Sequence, residues 1–264
     1  MPTPQFVPST VPDGDGPGLR YRIEGQLVPT LHLAVNGTEP VQFEHHVLLW
    51  KQPQVDVQLM KMKGAFKRVL SGMPIFMTHA VGAGEIAFSR DFPGQVIPLH
   101  LDHGETIQVR EHQFLAAAGL DYTFERAGGF GTMLLGSQGF FIDRFTASRG
   151  PGVLFLHAHG NAQIFDLEPG EVIDVEPGAW VYKEARVGYA QQVFGLRTGM
   201  FGGGGNIIWN RFTGPGRVCL QSGYYEGQVA AAAGGAAAGS RAGLGGGLLG
   251  GALGGILGGS DPNP

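Results

Sequence analysis

The sequence predicts an all-β protein built from three tandem copies of one unit in a pseudo-threefold arrangement, followed by a glycine-rich tail. Three observations carry this expectation. Apolar and polar residues alternate over short runs, the runs recur every 66 residues, and the composition changes abruptly after Tyr225.

The recurrence is read directly. Thr38-Glu39-Pro40-Val41-Gln42-Phe43 leads on to His46-Val47-Leu48-Leu49. Gly104-Glu105-Thr106-Ile107-Gln108-Val109 leads to His112-Gln113-Phe114-Leu115, and Gly170-Glu171-Val172-Ile173-Asp174-Val175 leads to Gly178-Ala179-Trp180-Val181. A second element follows each. It is Phe76-Met77-Thr78-His79 in the first copy, Phe141-Ile142-Asp143-Arg144-Phe145-Thr146 in the second and Ile208-Trp209-Asn210-Arg211-Phe212-Thr213 in the third. A fixed period of this size marks a repeat architecture, in which one unit alone cannot bury its apolar face and several together can.

Within each copy the alternation has the period of half-buried strands, as at Ile107 and Val109. Pro-Gly pairs at 93–94, 151–152, 169–170, 177–178 and 215–216 read as turns, since proline presets φ and glycine accepts a positive one. No long amphipathic helix is expected before residue 224. The domain reading is a flexible Pro/Gly-rich arm over 1–18, a triplicated β domain over 19–225 with copies at about 38–103, 104–169 and 170–223, and the tail over 226–264.

Composition limits function. A net charge of −4 argues against a general nucleic-acid binder, which needs a basic face. The one basic cluster, Lys61, Lys63, Lys67 and Arg68, reads as a solvated turn. Cys219 is the only cysteine, so no disulfide forms within one chain, and its setting between Val218 and Leu220 suits a small buried hydrophobe. The first residues lack the charged and apolar regions of a secretory signal, and a cytoplasmic location is expected, peripheral to or inserted in a membrane if the tail attaches there.

In the tail, Gly243, Gly247, Gly251, Gly255 and Gly259 recur every fourth residue, with Gly246, Gly250, Gly254 and Gly258 as a parallel row. On a helix these make a flat face suited to close packing in lipid or against a protein partner. The opposing reading is equally physical. Each glycine costs a helix about 1 kcal/mol in water, and ten of them lie in 242–259. The run of about 18 uncharged residues after Arg241 would span roughly 27 Å as a helix, borderline for a bilayer core of about 30 Å. A disordered sticky tail, a membrane segment and a protein zipper all remain open.

Four stretches point to a known family: Lys63-Gly64-Ala65-Phe66-Lys67-Arg68-Val69-Leu70-Ser71-Gly72, Pro74-Ile75-Phe76-Met77-Thr78, Pro93-Gly94-Gln95-Val96-Ile97-Pro98-Leu99, and Asn210-Arg211-Phe212-Thr213-Gly214-Pro215-Gly216. Through them, residues from about 39 to 223 resemble the family named for altered inheritance of mitochondria, protein 24, whose bacterial members were long grouped as a domain of unknown function. The resemblance implies a TRAP-like fold, a shortened double-stranded β-helix in tandem copies. It implies no established catalytic residues, so none is carried over, and no cofactor is expected. The mitochondrial member is associated with inner-membrane organisation.

Among candidate sites, His157-Ala158-His159 is an H-x-H pair on an expected strand, where side chains at i and i+2 share a face and two imidazoles can hold a transition metal. The pair resembles a cupin's, but Gly160-Asn161-Ala162-Gln163 lacks the Glu and Ala179-Trp180 lacks the third His that a cupin adds. His100 and His103 could complete such a site only by folding nearby. His46 and His112 occupy equivalent positions, where the third copy has Gly178. Arg144 and Arg211 likewise match His79 of the first copy. Glu39, Glu105 and Glu171 repeat as turn acids that satisfy backbone N–H groups or face water. Gly202-Gly203-Gly204-Gly205 lacks the Lys-Ser/Thr of a phosphate loop.

The leading expectation is a non-enzymatic assembly or scaffold protein. Its body would form a homo-oligomer, and its tail would reach a membrane or a protein partner. No catalytic residue, cofactor or nucleic acid is assigned. The competing expectations are a cupin-like metal-binding protein using His157 and His159, and a small-molecule-binding module.

Overall fold

The alternating runs become strands. The computed structural model describes residues 2–60, 77–90, 92–126, 141–193 and 208–223. Among these residues the chain is all-β, and the one helical turn is a short 3-10 segment at His45–Val47. Strands β1 (Gln5–Phe6), β2 (Gly14–Gly16) and β3 (Leu19–Glu24) come first. They are followed by β4 (Thr30–Asn36), β5 (Val41–Glu44), β6 (Leu48–Lys51), β7 (Asp56–Leu59), β8 (Met77–Val81) and β9 (Ala83–Phe88). Next come β10 (Gly94–Leu101), β11 (Thr106–Arg110), β12 (Phe114–Ala118), β13 (Asp121–Arg126), β14 (Phe141–Thr146) and β15 (Gly152–His159). The last set is β16 (Ala162–Leu167), β17 (Val172–Val175), β18 (Trp180–Glu184), β19 (Gly188–Val193), β20 (Ile208–Thr213) and β21 (Gly216–Gln221).

One antiparallel pairing scheme occurs in each of the three six-strand groups. The first strand pairs with the sixth, the second with the fifth, the third with the sixth and the fourth with the fifth. In the second group these pairs are β10–β15, β11–β14, β12–β15 and β13–β14. In the third they are β16–β21, β17–β20, β18–β21 and β19–β20. Each third strand carries a bulge at the same place, between Leu48 and Trp50, Phe114 and Ala116, and Trp180 and Tyr182. A bulge lets one residue drop out of the ladder and bends the strand. The strand that opens each group precedes the sequence repeat, beginning at Thr30, Gly94 and Ala162 rather than at 38, 104 and 170.

Neighbouring groups join through edges. The third strand of one group pairs with the second strand of the group before it, as β12 with β5 and β18 with β11. A threefold-closed body would also pair β6 with β17. Instead β6 ends a five-stranded sheet and β17 ends a three-stranded one, so among the described residues the groups form an open series.

The core follows the series. One apolar cluster joins Leu31, Leu33, Phe43, Ile86 and Phe88 to Val153 and Phe155 of the second group. A second joins Phe114, Phe145, Leu154 and Leu156 to Val181, Tyr182 and Cys219 of the third. A third holds Trp180, Phe212, Val218 and Val187. Phe114 meets Phe145 at 4.6 Å between ring centroids, and the equivalent Trp180 meets Phe212 at 5.6 Å. Burying each such ring contributes about 1.5–3 kcal/mol. Gly104 and Gly170 sit at equivalent turns with φ of +90° and +83° and open space where a Cβ would lie, so the backbone angle, rather than crowding, calls for glycine there.

The arm expected to be flexible over 1–18 carries strands. Gln5 and Phe6 of β1 pair with Ile164 and Gln163, and the Val7 carbonyl accepts from Gln95 Nε2 at 3.1 Å. The prolines around it are tolerated because β1 is an edge strand, where a missing N–H faces outward.

Candidate functional site

The histidine pair sits on β15 against β10. His157 faces Val96 and His159 faces Gly94 across the ladder. The two rings lie 5.3 Å apart between centroids, so the pair does share a face. A Cβ on Gly94 would collide with the Ala158 carbonyl oxygen and come within 2.8 Å of the His157 ring, so the glycine lets the strand close over the imidazole. His157 is fully buried. Burial pushes its pKa down to about 3, the charges of His159 and Arg90 push it the same way, and a hydrogen bond with the Phe92 backbone partly opposes them. The His159 pKa is also lowered, by burial first and then by Arg90 and Arg110.

Both imidazoles are therefore neutral at pH 7, the form a metal needs, but their charged neighbour is a cation. Arg90 is fixed by Glu44 Oε2 at 3.2 Å and the Phe114 carbonyl at 3.1 Å. Among the described residues no cluster of three or more His, Cys, Asp or Glu side chains could hold a metal ion. His100 lies at the far end of β10, opposite Val153, with Nε2 3.1 Å from the Tyr21 hydroxyl. It is thus four ladder steps, roughly 13 Å, from His157. His103 lies in the turn beyond β10.

The other repeated residues have structural work. Arg211 grips Asp174 with two bonds of 2.7 Å, which hold that carboxyl below its usual range. Glu105 accepts the Asp102 N–H at 2.8 Å and Glu171 the Glu168 N–H at 2.9 Å, while Glu39 pairs with Arg149 at 3.1 Å. His46 lies 3.3 Å from Glu44 and His112 3.8 Å from Glu111. Cys219 is buried, and burial pushes its thiol up to about 12. An open cleft of about 350 Å³ is lined by both signs of charge, including Asp13, Asp15, Arg20, Arg22 and Glu85. The basic cluster at 61–68, the glycines at 202–205 and the tail row Gly243, Gly247, Gly251, Gly255 and Gly259 lie outside the described residues.

The feature that sequence reasoning missed is the pair of open edges. Leu115 and Val181, the bulged residues of the two joined third strands, are fully buried, whereas the equivalent Leu49 on β6 is 58% exposed. Ala116 and Tyr182 are also buried, whereas the equivalent Trp50 is 39% exposed. At the other end Val172 on β17 is 46% exposed. The 66-residue interval aligns Leu49 with Leu115 and Val181, but it carried no sign that one copy would lack a neighbouring strand among the described residues.

Comparison with known proteins agrees with this architecture. The family model described as Mitochondrial biogenesis AIM24 matches residues 21–223. The crystal structure of protein SPYM3_0169 from Streptococcus pyogenes is similar at a TM-score of 0.63 and 19% identity, over 80% of this chain and 96% of that one. At that identity the likeness speaks for the fold alone. No curated protein is detectably similar in sequence.

Proposed function

Because the chain belongs to the Mitochondrial biogenesis AIM24 family, and membership by itself assigns no reaction, we propose that it is an assembly scaffold. In this reading its body consists of three TRAP-like units in series and works by oligomerising. The observation that carries it is the mode of joining. The units already associate edge to edge, β5 with β12 and β11 with β18, by the same backbone contact each time. Strand addition at a sheet edge is a general way of building assemblies, with main-chain bonds for affinity and side chains for register.

Light scattering on the full chain tests the proposal. A defined mass above that of one chain is the expected result, and a monomer at all working concentrations overturns it. The tail over 226–264 is proposed as the attachment to a membrane or a protein partner. The support is its glycine periodicity alone. Among the described residues no helix is long and apolar enough to cross a membrane. Flotation of the full chain with lipid vesicles, compared with a chain ending at Tyr225, reads the membrane version. Equal behaviour of the two removes it.

A further inference from the structure

The geometry points to a specific head-to-tail contact: we propose that the β6 edge of one copy adds to the β17 edge of a second copy, with Trp50 opposite Val175, Lys51 opposite Asp174 and Gln52 opposite Ile173. This rests on the assembly reading above and names its partner and register.

The argument starts from the two internal junctions. In the first, Ala116, Ala117 and Ala118 face Phe43, Gln42 and Val41. In the second, Tyr182, Lys183 and Glu184 face Val109, Gln108 and Ile107. Both members of every pair are displaced by 66 residues between the junctions, so the register is the same. Applying the interval once more takes the third-strand side back to Trp50, Lys51 and Gln52 and the second-strand side on to Ile173, Asp174 and Val175. Trp50 and Lys51 lie on β6, with Gln52 directly after it, and Ile173, Asp174 and Val175 lie on β17, and both strands end their sheets.

Three features of the edges suit such a contact. The ladder groups of both are unpaired by any strand among the described residues, and a flat unpaired edge invites another chain. The large exposed side chains Leu49 and Trp50 lie on β6, at positions whose counterparts on the other two third strands are buried inside the internal junctions, and Val172 is exposed on β17. The register also sets Lys51 beside Asp174, opposite charges at a cross-strand pair, which is favourable. Asp174 is already gripped by Arg211, but a carboxylate has lone pairs for a further donor. The occupant is a second copy because each edge continues an interface that the chain has made twice with itself. The contact is heterologous, so it yields a closed ring if the unit-to-unit rotation closes and a filament if it does not.

Cysteine pairing on the full chain tests this. Lys51→Cys and Asp174→Cys are made in separate chains, mixed and oxidised. The buried Cys219, with its raised thiol pKa, gives little background. The expected result is a disulfide-linked dimer from the mixture, at least tenfold above either chain alone and above the off-register mixture of Lys51→Cys with Val172→Cys. Trp50→Asp should lower the assembled mass without loss of the folded spectrum. If light scattering reports an oligomer but the mixture gives no cross-link, the assembly uses another face: the contact is wrong and the scaffold reading stands. A monomer by light scattering removes both. A chain carrying both cysteines that closes on itself without dimer would also overturn the contact, by making the series a closed ring of three.

Discussion

The two internal junctions share a backbone and differ in chemistry. The first is built from alanines. Ala116, Ala117 and Ala118 are fully buried, and Gln42, opposite Ala117 across the ladder, donates from Nε2 to the Leu120 carbonyl at 2.8 Å. The second places Lys183 where Ala117 stands. Lys183 is only 3% exposed and donates from Nζ to the Val187 carbonyl at 2.7 Å. The facing Gln108 then turns away to Glu125. Position 183 is thus a buried cation with one good acceptor, and burial holds its pKa down to about 8, aided by Arg144 and opposed by Glu125. The lesson is that strand pairing and bulge position define the junction, while the side chains need only fill the gap and satisfy their polar atoms.

The largest expected effect comes from exchanging these solutions. Ala117→Lys puts a charge at a fully buried position opposite Gln42, and should cost about 3 kcal/mol or more, read as a lower denaturation midpoint. Next is a pH effect confined to the second junction. The folded pKa of Lys183 is depressed, so the unfolded chain holds a proton there that the folded chain releases. Stability should therefore rise as pH increases from about 8 toward 10.4, by up to roughly 3 kcal/mol across the window. The difference between wild type and Lys183→Met, measured by urea unfolding from pH 7 to 9.5, isolates this slope. An unchanged difference would mean that Lys183 reaches water in solution. Smaller again is Gln42→Ala, which leaves the buried Leu120 carbonyl without its donor and should cost about 1 kcal/mol. The smallest compares the turn before the joined strand β11 with the turn before the open strand β17. Glu105→Ala and Glu171→Ala each remove an acceptor from the turn leading into a second strand, and should each cost around 0.5 kcal/mol by thermal melting.

The strands were legible because alternation and a fixed interval are properties of sequence. Ile107 and Val109 declared their buried face, and both proved buried. The prolines and glycines of the arm signal loops, whereas its two residues of edge pairing leave almost no pattern. Lys183 gave no sign of burial, since lysine is ordinarily exposed and its acceptor is a backbone carbonyl that no side chain advertises. The H-x-H spacing correctly put two imidazoles on one face. It could not report that Arg90, distant in sequence, would stand beside them as a cation.

In each group the first strand lies beside the last: β4 beside β9, β10 beside β15 and β16 beside β21. The chain therefore enters and leaves a group about 4.8 Å apart. A segment whose ends meet can be copied, removed or inserted without rethreading its neighbours, much as domains with adjacent termini accept insertion and permutation. The number of groups in a chain is then a matter of genetic length rather than of folding, and a protein with one group more or fewer would need no new kind of contact.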